Sequence, residues 1–144
     1  GESLGGANTA IYREMIRETI REHLRKEQQL RAKGIKVLSL FFVDKVASYM
    51  GDGVSNHDAN GDFAKWFDEM FLEETAKNPK WGELFNLHPS QLRKAYFSQI
   101  KKGKVVVGVK DSREGKSNSD DDDAYELIMK DKQRLLDQKV NVSA

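Results

Sequence analysis

The chain has 144 residues, which suits one domain or a part of a larger one. Only 38% of the residues are hydrophobic and 33% are charged, so the chain can form only a small hydrophobic core. The absence of cysteine excludes disulfides and thiolate metal sites, and the longest apolar stretch, residues 37–43, is far too short to span a bilayer. These features predict a soluble, cytoplasmic protein with no membrane partner.

The formal net charge of +1 conceals a segregation of charge along the chain. Residues 10–36 and 99–117 are basic, whereas residues 58–83 and 120–131 are acidic. Such blocks can mark a surface for nucleic acid beside acidic faces. They can also arise from segments that pair with each other inside one fold, and this second interpretation is somewhat favoured.

The first predicted element is a helix that follows a flexible leader, residues 1–9. Thr9 can act as its N-cap, and Gly34 ends it after about six turns. Apolar residues recur at helical spacing along one face, and His23 lies next to them as a packing residue. The positions at this spacing are Tyr12, Ile16, Ile20, Leu24, Glu27 and Leu30.

A stripe of arginines runs along the same helix and could follow the phosphates of a nucleic acid. It consists of Arg13, Arg17, Arg21 and Arg25. Glutamates stand three residues before the last three of these arginines, a spacing that supports ion pairs on a helix surface. An exposed ladder of ion pairs is therefore the favoured interpretation.

A buried strand is predicted at residues 35–43, because seven of these residues are apolar and they do not alternate with polar ones. This pattern is typical of a strand in a parallel sheet that is covered on both faces. Asp44 can cap a following helix at residues 45–50. A helix, a buried strand and another helix in series predict an α/β fold.

Residues 51–62 are predicted to form a loop. Asp58, Asn60 and Gly61 resemble part of a calcium-binding loop, but Phe67 stands where such a loop requires its bidentate glutamate. A plain turn is therefore predicted.

Residues 62–78 show the clearest amphipathic pattern in the chain, an aromatic stripe at helical spacing. The stripe consists of Phe63, Trp66, Phe67, Met70 and Phe71. It is interpreted as part of the core. The alternative is that the chain is a non-catalytic interaction module, which docks another subunit or domain through this helix.

Short helical turns are predicted before residue 94, with Pro89 opening the second of them. A β-hairpin follows at residues 95–109, with basic residues at its turn, 101–104. A charged linker, residues 110–123, then leads to a helix at 123–137. The acidic run at 120–123 suits the N-terminus of that helix, and Leu127, Ile128, Met129 and Leu135 are available for packing.

Gly115-Lys116-Ser117 matches the end of a phosphate-binding loop. The pattern requires a glycine where Lys110 stands, because the loop backbone must fold tightly around the phosphates. The four aspartates that follow would repel a triphosphate. A polar loop after a strand is predicted instead.

No active site is recognisable in the remaining sequence. The three histidines, His23, His57 and His88, are too far apart in sequence for metal-ligand spacing. Glu114 and Lys116 have the spacing found at the end of many metal-dependent nuclease motifs, but no acidic partner can be identified for them.

Two long blocks, GIKVLSLFFVDKVASY (34–49) and DDDAYELIMKDKQRLL (121–136), closely resemble the restriction subunit of type III restriction–modification enzymes. The helix before the first block, the AYFS at 95–98 and the Lys-Asp-Ser at 110–112 resemble the same family in the same order. The resemblance covers most of residues 11–137, although residues 50–94 match only loosely.

The resemblance implies a superfamily 2 helicase-like motor that uses ATP and Mg²⁺ to act on DNA and carries an endonuclease domain. The implied partners are DNA, a modification methyltransferase subunit, and the remainder of the motor and nuclease domains. The implied fold is a partial RecA-like domain, opened by residues 10–50, with an inserted helical and hairpin segment at 51–119. Residues 120–144 would lead back to the motor domain.

The family's phosphate loop, acidic box, ATP-reaching arginine and nuclease residues have no counterparts in this chain. The chain is therefore expected to be non-catalytic in isolation, with no catalytic, metal or cofactor residue. In helicases of this superfamily, the end of the second domain's first strand lies close to the tracked DNA strand. Asp44, Lys45 and Ser48 match that location by their order in the chain, so the resemblance implies a phosphate contact from Lys45 or Ser48. The alternative is that Asp44 is only a helix cap.

Overall fold

The computed structural model describes residues 6–43, 45–85, 87–97, 105–112 and 126–132. A long helix, α1 (Gly6–Leu30), opens this part of the chain and continues into a 3₁₀ turn at Arg31–Lys33. Gly34 ends the turn with a φ of 71°, a left-handed conformation that glycine adopts without strain. Because α1 begins at Gly6, Thr9 lies inside the helix and does not cap it. Residues 1–5 of the predicted leader lie outside the described residues.

Three strands form one sheet in the order β1-β3-β2. They are β1 (Ser39–Val43), β2 (Arg93–Phe97) and β3 (Val105–Val109). Both pairings are antiparallel, with Phe41 and Ala95 on either side of Val107. The predicted hairpin is confirmed by the pairing of β2 with β3, and its turn lies outside the described residues.

The prediction that β1 belongs to a parallel sheet is wrong, since β1 runs antiparallel to its only strand neighbour among the described residues. Its burial is also uneven, because Val43 is buried whereas Phe42 is 47% exposed. An uninterrupted apolar run indicates that both faces can meet apolar groups, but it carries no information on the direction of the next strand. The chain is a mixed helix-and-sheet structure, which agrees with the α/β prediction only in this coarse sense.

The predicted aromatic helix is α3 (Asp62–Lys77), and it supplies the centre of the core. Its residues Phe63, Phe67, Met70 and Phe71 are at most 2% exposed. They pack against α1 and the sheet, with Phe41 meeting the ring of Phe63 edge-on at 5.0 Å between centroids. Each buried aromatic side chain of this kind stabilises the fold by about 1.5–3 kcal/mol. The core interpretation is confirmed, and the aromatic face is not free to dock a partner.

Two short helices complete the helical layer. α2 (Val46–Met50) follows β1, and α4 (Pro79–Leu84) follows α3. Asn78 caps α4 by accepting a hydrogen bond from the Lys80 N–H. Pro89 opens a 3₁₀ turn at Pro89–Gln91, as predicted.

The opposite face of the sheet contacts a further helical segment, α5 (126–132). Met129 is fully buried there against Val106 and Leu40, whereas Leu127 is 63% exposed and Ile128 is 44% exposed. The acidic run at 120–123 and Leu135 lie outside the described residues. No helix in the described part of the chain is long and apolar enough to cross a membrane.

The segments that were assigned to a motor domain and to an insertion share one core. α3, from the second segment, packs on α1, and β3 pairs with β1. The domain division at residues 50 and 119 stays a prediction.

Candidate functional site

Lys45 lies at the junction between β1 and α2, where it is exposed to solvent. Its backbone is extended, and its carbonyl accepts a hydrogen bond from the Ser48 N–H at 3.0 Å. Ser48 is half-buried one turn later on α2. The structure thus brings Lys45 and Ser48 together at one end of β1, while Asp44 lies outside the described residues.

The loop after α2 fixes the position of this helix. Its two ends meet through hydrogen bonds from Asn60 N–H to Met50 O and from Gly61 N–H to Tyr49 O. A Cβ on Gly61 would collide with the Ser48 carbonyl, so glycine permits the close approach of the loop to α2. The loop therefore fixes the position of α2, and Lys45 lies at the exposed start of this helix.

The same loop confirms the predicted turn at Asp58. Asp58 Oδ1 accepts hydrogen bonds from the Ser55 N–H and hydroxyl, and these bonds lower the pKa of Asp58. Phe67 is buried in the core and supplies no ligand to this loop. Among the described residues, no group of three acidic, histidine or cysteine side chains could hold a metal ion.

Arg93 of β2 connects the loop, α2 and α3 in a buried polar cluster. Its guanidinium donates to both carboxylate oxygens of Asp68 at 2.7 and 2.8 Å, and to the hydroxyl of Tyr49 at 2.9 Å. A further hydrogen bond reaches the carbonyl of Asn56 at 3.1 Å. Burial opposes the charge of Arg93, but these acceptors outweigh it and raise the pKa of Arg93. Burial raises the pKa of Tyr49, and the nearby charge of Arg93 opposes this shift.

A second polar cluster joins α1 to α3 around the buried carboxylate of Glu74. Arg17 Nη1 and Arg21 Nε both donate to it at 2.9 Å, and Lys77 Nζ donates at 3.2 Å. Hydrogen bonds from Arg21 and then from Arg17 and Lys77, acting against burial, lower the pKa of Glu74 to about 2. The hydrogen bond to Glu74 raises the pKa of Arg21, and hydrogen bonds to Glu73 and then to Glu74 raise the pKa of Arg17.

The arginine stripe is therefore an ion-pair ladder, as favoured from the sequence. Arg17, Arg21 and Arg25 each pair with the glutamate three residues before, and Arg13 reaches Glu69 of α3. The basic block of α1 and the acidic block of α3 neutralise each other across their interface. The interpretation of these two blocks as segments that pair within one fold is confirmed.

A third polar cluster lies where the chain leaves β3. Ser112 donates its N–H to Glu27 Oε1 at 2.7 Å and its hydroxyl to Glu27 Oε2 at 2.5 Å. Arg31 and His23 are each 3.4 Å from this carboxylate, and His23 Nδ1 is 2.8 Å from the Ser39 hydroxyl. Asp111 accepts the Val37 N–H at 3.0 Å. His23 is thus a buried packing residue, as predicted.

This third cluster corrects the prediction that a charged linker begins at residue 110. Asp111 and Ser112 are buried, because their side chains turn inwards to α1 and to the segment before β1. Gly115, Lys116 and Ser117, the residues that resemble a phosphate-binding loop, lie outside the described residues. So does Glu114 of the nuclease-like pair.

The fold brings two of the three histidines together. His57 Nδ1 and His88 Nδ1 lie 3.2 and 2.7 Å from the hydroxyl of Ser90. His88 also accepts the Ser90 N–H and caps the 3₁₀ turn. No sequence pattern indicates the contact between His57 and Ser90, nor the clusters around Arg93 and Glu74, because the partners lie in separate segments.

The chain is similar to one curated protein, the type III restriction-modification enzyme EcoP15I Res subunit of Escherichia coli. The identity is 31% over 131 residues, which cover 85% of this chain. The chain spans only 12% of the length of that relative. No family model and no solved structure matches. The similarity supports the resemblance to type III restriction subunits that the sequence blocks indicate.

Proposed function

We propose that this chain is a part of the ATP-dependent DNA-translocating motor of a type III restriction endonuclease subunit. The observation that carries the proposal is the similarity to a Res subunit across 85% of the chain. On this proposal the chain is non-catalytic in isolation, because ATP, Mg²⁺ and the nuclease residues act elsewhere in the parent subunit. DNA and a modification methyltransferase are partners of that parent, and the setting is the cytoplasm.

Within the motor, residues 10–50 would open the second RecA-like domain. Lys45 and Ser48 would then contact the phosphates of the DNA strand. The positions of the two residues support these contacts. Lys45 is exposed at the end of β1, and Ser48 follows one turn later on α2, which Gly61 contacts closely. The arginines of α1 are not proposed as DNA contacts, because carboxylates already neutralise them.

The test is the affinity of the full chain for single-stranded and duplex DNA at several salt concentrations, measured by fluorescence anisotropy. Lys45→Ala should weaken binding to all sequences alike and reduce the salt slope by about 0.7–0.9, the effect of one lost phosphate contact.

Lys80→Ala is the matched control, because Lys80 is also an exposed lysine at the start of a short helix. Lys80 lies just after the C-terminal end of α3. By contrast, α2 contacts the loop that precedes the N-terminal end of α3. The 16 residues of α3 separate these ends by about 24 Å. Equal effects of the two substitutions, or salt-independent binding, would refute the proposed contact.

A further inference from the structure

His57 and His88 meet where the loop between α2 and α3 contacts the 3₁₀ turn at Pro89–Gln91. Both imidazoles are exposed, whereas Ser90 between them is only 6% exposed. The Nδ1 atoms of His57 and His88 lie 3.2 and 2.7 Å from the Ser90 hydroxyl. Three groups that can each donate or accept a hydrogen bond therefore meet at one point, and the positions of their protons must be mutually consistent.

The backbone of Ser90 determines where a neutral His88 carries its proton. Nδ1 of His88 accepts the Ser90 N–H at 3.2 Å and thereby caps the turn. A ring nitrogen that accepts a hydrogen bond carries no proton, so the proton of a neutral His88 is on Nε2. The Ser90 hydroxyl, 2.7 Å from the same Nδ1, must also donate to it, because two acceptors without a proton between them would repel each other.

His57 has the opposite role in this chain of hydrogen bonds. A serine hydroxyl has a single proton, and the proton of Ser90 is directed to His88. Nδ1 of His57 must therefore carry a proton and donate it to the Ser90 oxygen at 3.2 Å. The order of donation runs from His57 through Ser90 to His88.

The two histidines consequently respond differently to a second proton. His57 can take it up on Nε2 and still donate from Nδ1, so the chain of hydrogen bonds is kept. His88 can take it up only on Nδ1, which then accepts neither the hydroxyl nor the backbone N–H of Ser90. That N–H loses its acceptor at a position almost closed to water, which makes protonation of His88 unfavourable while the turn is formed.

Charged groups on the elements packed against the turn are engaged elsewhere. The charged or titratable groups on these elements that the contacts of the turn bring into question are His57 and Asp58 of the loop, Asp68 of α3, and Arg93 and Lys94 of β2. Asp68 accepts from Arg93, and Asp58 accepts from the N–H and hydroxyl of Ser55. Lys94 follows Arg93 on the strand, so it points to the opposite face of the sheet.

The loop itself has a second attachment to β2 that does not titrate in the range of histidine. Arg93 donates to the carbonyl of Asn56 at 3.1 Å, and the Ala95 N–H donates to Oδ1 of Asn56 at 2.6 Å. Neither an arginine nor an amide changes its charge between pH 5 and 8, whereas histidine does. Acid therefore affects the cap of the turn and leaves this attachment in place.

We propose that His88 is a pH-sensitive cap, which holds the turn at Pro89–Gln91 closed when it is neutral and releases the turn when it is protonated. His57 stays a donor in both states, and Arg93 keeps the loop attached to β2. The backbone hydrogen bonds of the turn, from Gln91 N–H to His88 O and from Leu92 N–H to Pro89 O, depend on this cap. The inference concerns the fold of the chain and does not rest on the proposed function.

The test is amide hydrogen exchange of the full chain by NMR at about pH 7.5 and about pH 5.5, on either side of the usual histidine titration. Protection is expressed relative to the unfolded chain at the same pH. The amides of Ser90, Gln91 and Leu92 should lose protection about fivefold or more at the lower pH, the change that corresponds to the loss of one helix cap. The Ala95 amide, bound to Asn56, should keep its protection and is the internal reference.

Two variants separate the roles of the histidines. His88→Asn keeps a side-chain acceptor that suits a cap and does not titrate, so it should remove the pH dependence. His57→Gln is the matched control, because it removes the other exposed imidazole and should leave the pH dependence intact. Ring nitrogen chemical shifts at about pH 7.5 should place the proton of His88 on Nε2.

Four results would overturn the inference. The first two are a pH dependence that persists in His88→Asn and one that disappears in His57→Gln. The third is a His88 ring with its proton on Nδ1 at about pH 7.5. The fourth is an equal loss of protection at Ala95, which would show that acid loosens the whole fold and not this turn.

Discussion

Two glutamates of the described chain are almost fully buried, and they are held in different ways. Glu74, 2% exposed, lies between α1 and α3 and accepts hydrogen bonds from three cations, Arg17, Arg21 and Lys77. Glu27, 1% exposed, lies under the exit of β3 and is held mainly by the N–H and hydroxyl of Ser112. The first carboxylate is neutralised by cations that are themselves partly exposed, and the second is bound mainly by the buried donors of Ser112.

The surroundings of a buried carboxylate decide how much it contributes to the stability of the fold. The cations around Glu74 reach it from partly exposed positions, so solvent screens their attraction to the carboxylate. This attraction also depends on pH, because it requires Glu74 to be ionised. The two Ser112 donors are buried with Glu27, and one of them is a backbone N–H whose hydrogen bond is lost when Glu27 is removed. Loss of Glu27 should therefore cost more than loss of Glu74.

Glu27→Ala is expected to have the largest effect. It leaves the Ser112 N–H unsatisfied in the interior and separates α1 from the exit of β3, at a cost of about 3–5 kcal/mol in the free energy of unfolding. Urea denaturation followed by circular dichroism measures this cost. Glu27→Gln, which keeps one acceptor oxygen, should lose less than half as much. A loss below about 1 kcal/mol for Glu27→Ala would contradict the interior role.

Glu74→Gln is expected to have an intermediate and pH-dependent effect. The folded state lowers the pKa of Glu74 from 4.5 to about 2, so its contribution is present above pH 4.5 and is lost as the pH falls towards 2. Allowing for solvent around the cations, the variant should be about 1–3 kcal/mol less stable at pH 7.

The measurement for Glu74 is the difference in unfolding free energy between the wild type and Glu74→Gln at pH 7, 5 and 3. Taking this difference cancels the titration of the other carboxylates. It should be nearly constant between pH 7 and 5 and shrink at pH 3. A difference that does not depend on pH would show that the charge of Glu74 contributes nothing.

Glu69→Gln is expected to have the smallest effect. Glu69 meets Arg13 at 3.6 Å, and its side chain is 53% exposed. An exposed pair at this distance contributes about 0–1 kcal/mol, and 1 M salt should remove the contribution. Thermal unfolding at low and high salt measures it. A loss as large as that of Glu74→Gln would mean that burial does not explain the difference between these two ion pairs.

Sequence patterns predicted those parts of the fold and of the candidate site that depend on neighbours along the chain. The face of α1 that includes Ile16, Ile20 and Leu24 is buried as the helical spacing indicated, and the aromatic stripe of α3 is core. The order β1, Lys45, α2 also follows from the sequence. The polar clusters could not be predicted, because their members come from separate segments: Ser112 is 85 positions after Glu27, and Glu74 is 57 positions after Arg17.

By itself, therefore, the sequence determined the two long helices, the hairpin, the ion pairs within α1 and the resemblance to type III restriction subunits. The reason is that helical spacing, strand composition and turn residues act over a few positions. The tertiary structure alone decided that the sheet is antiparallel, that β1 lies at its edge, and that Asp111 and Ser112 turn inwards. Those outcomes depend on which distant donor, acceptor or strand the fold brings close, and local sequence patterns do not indicate such partners.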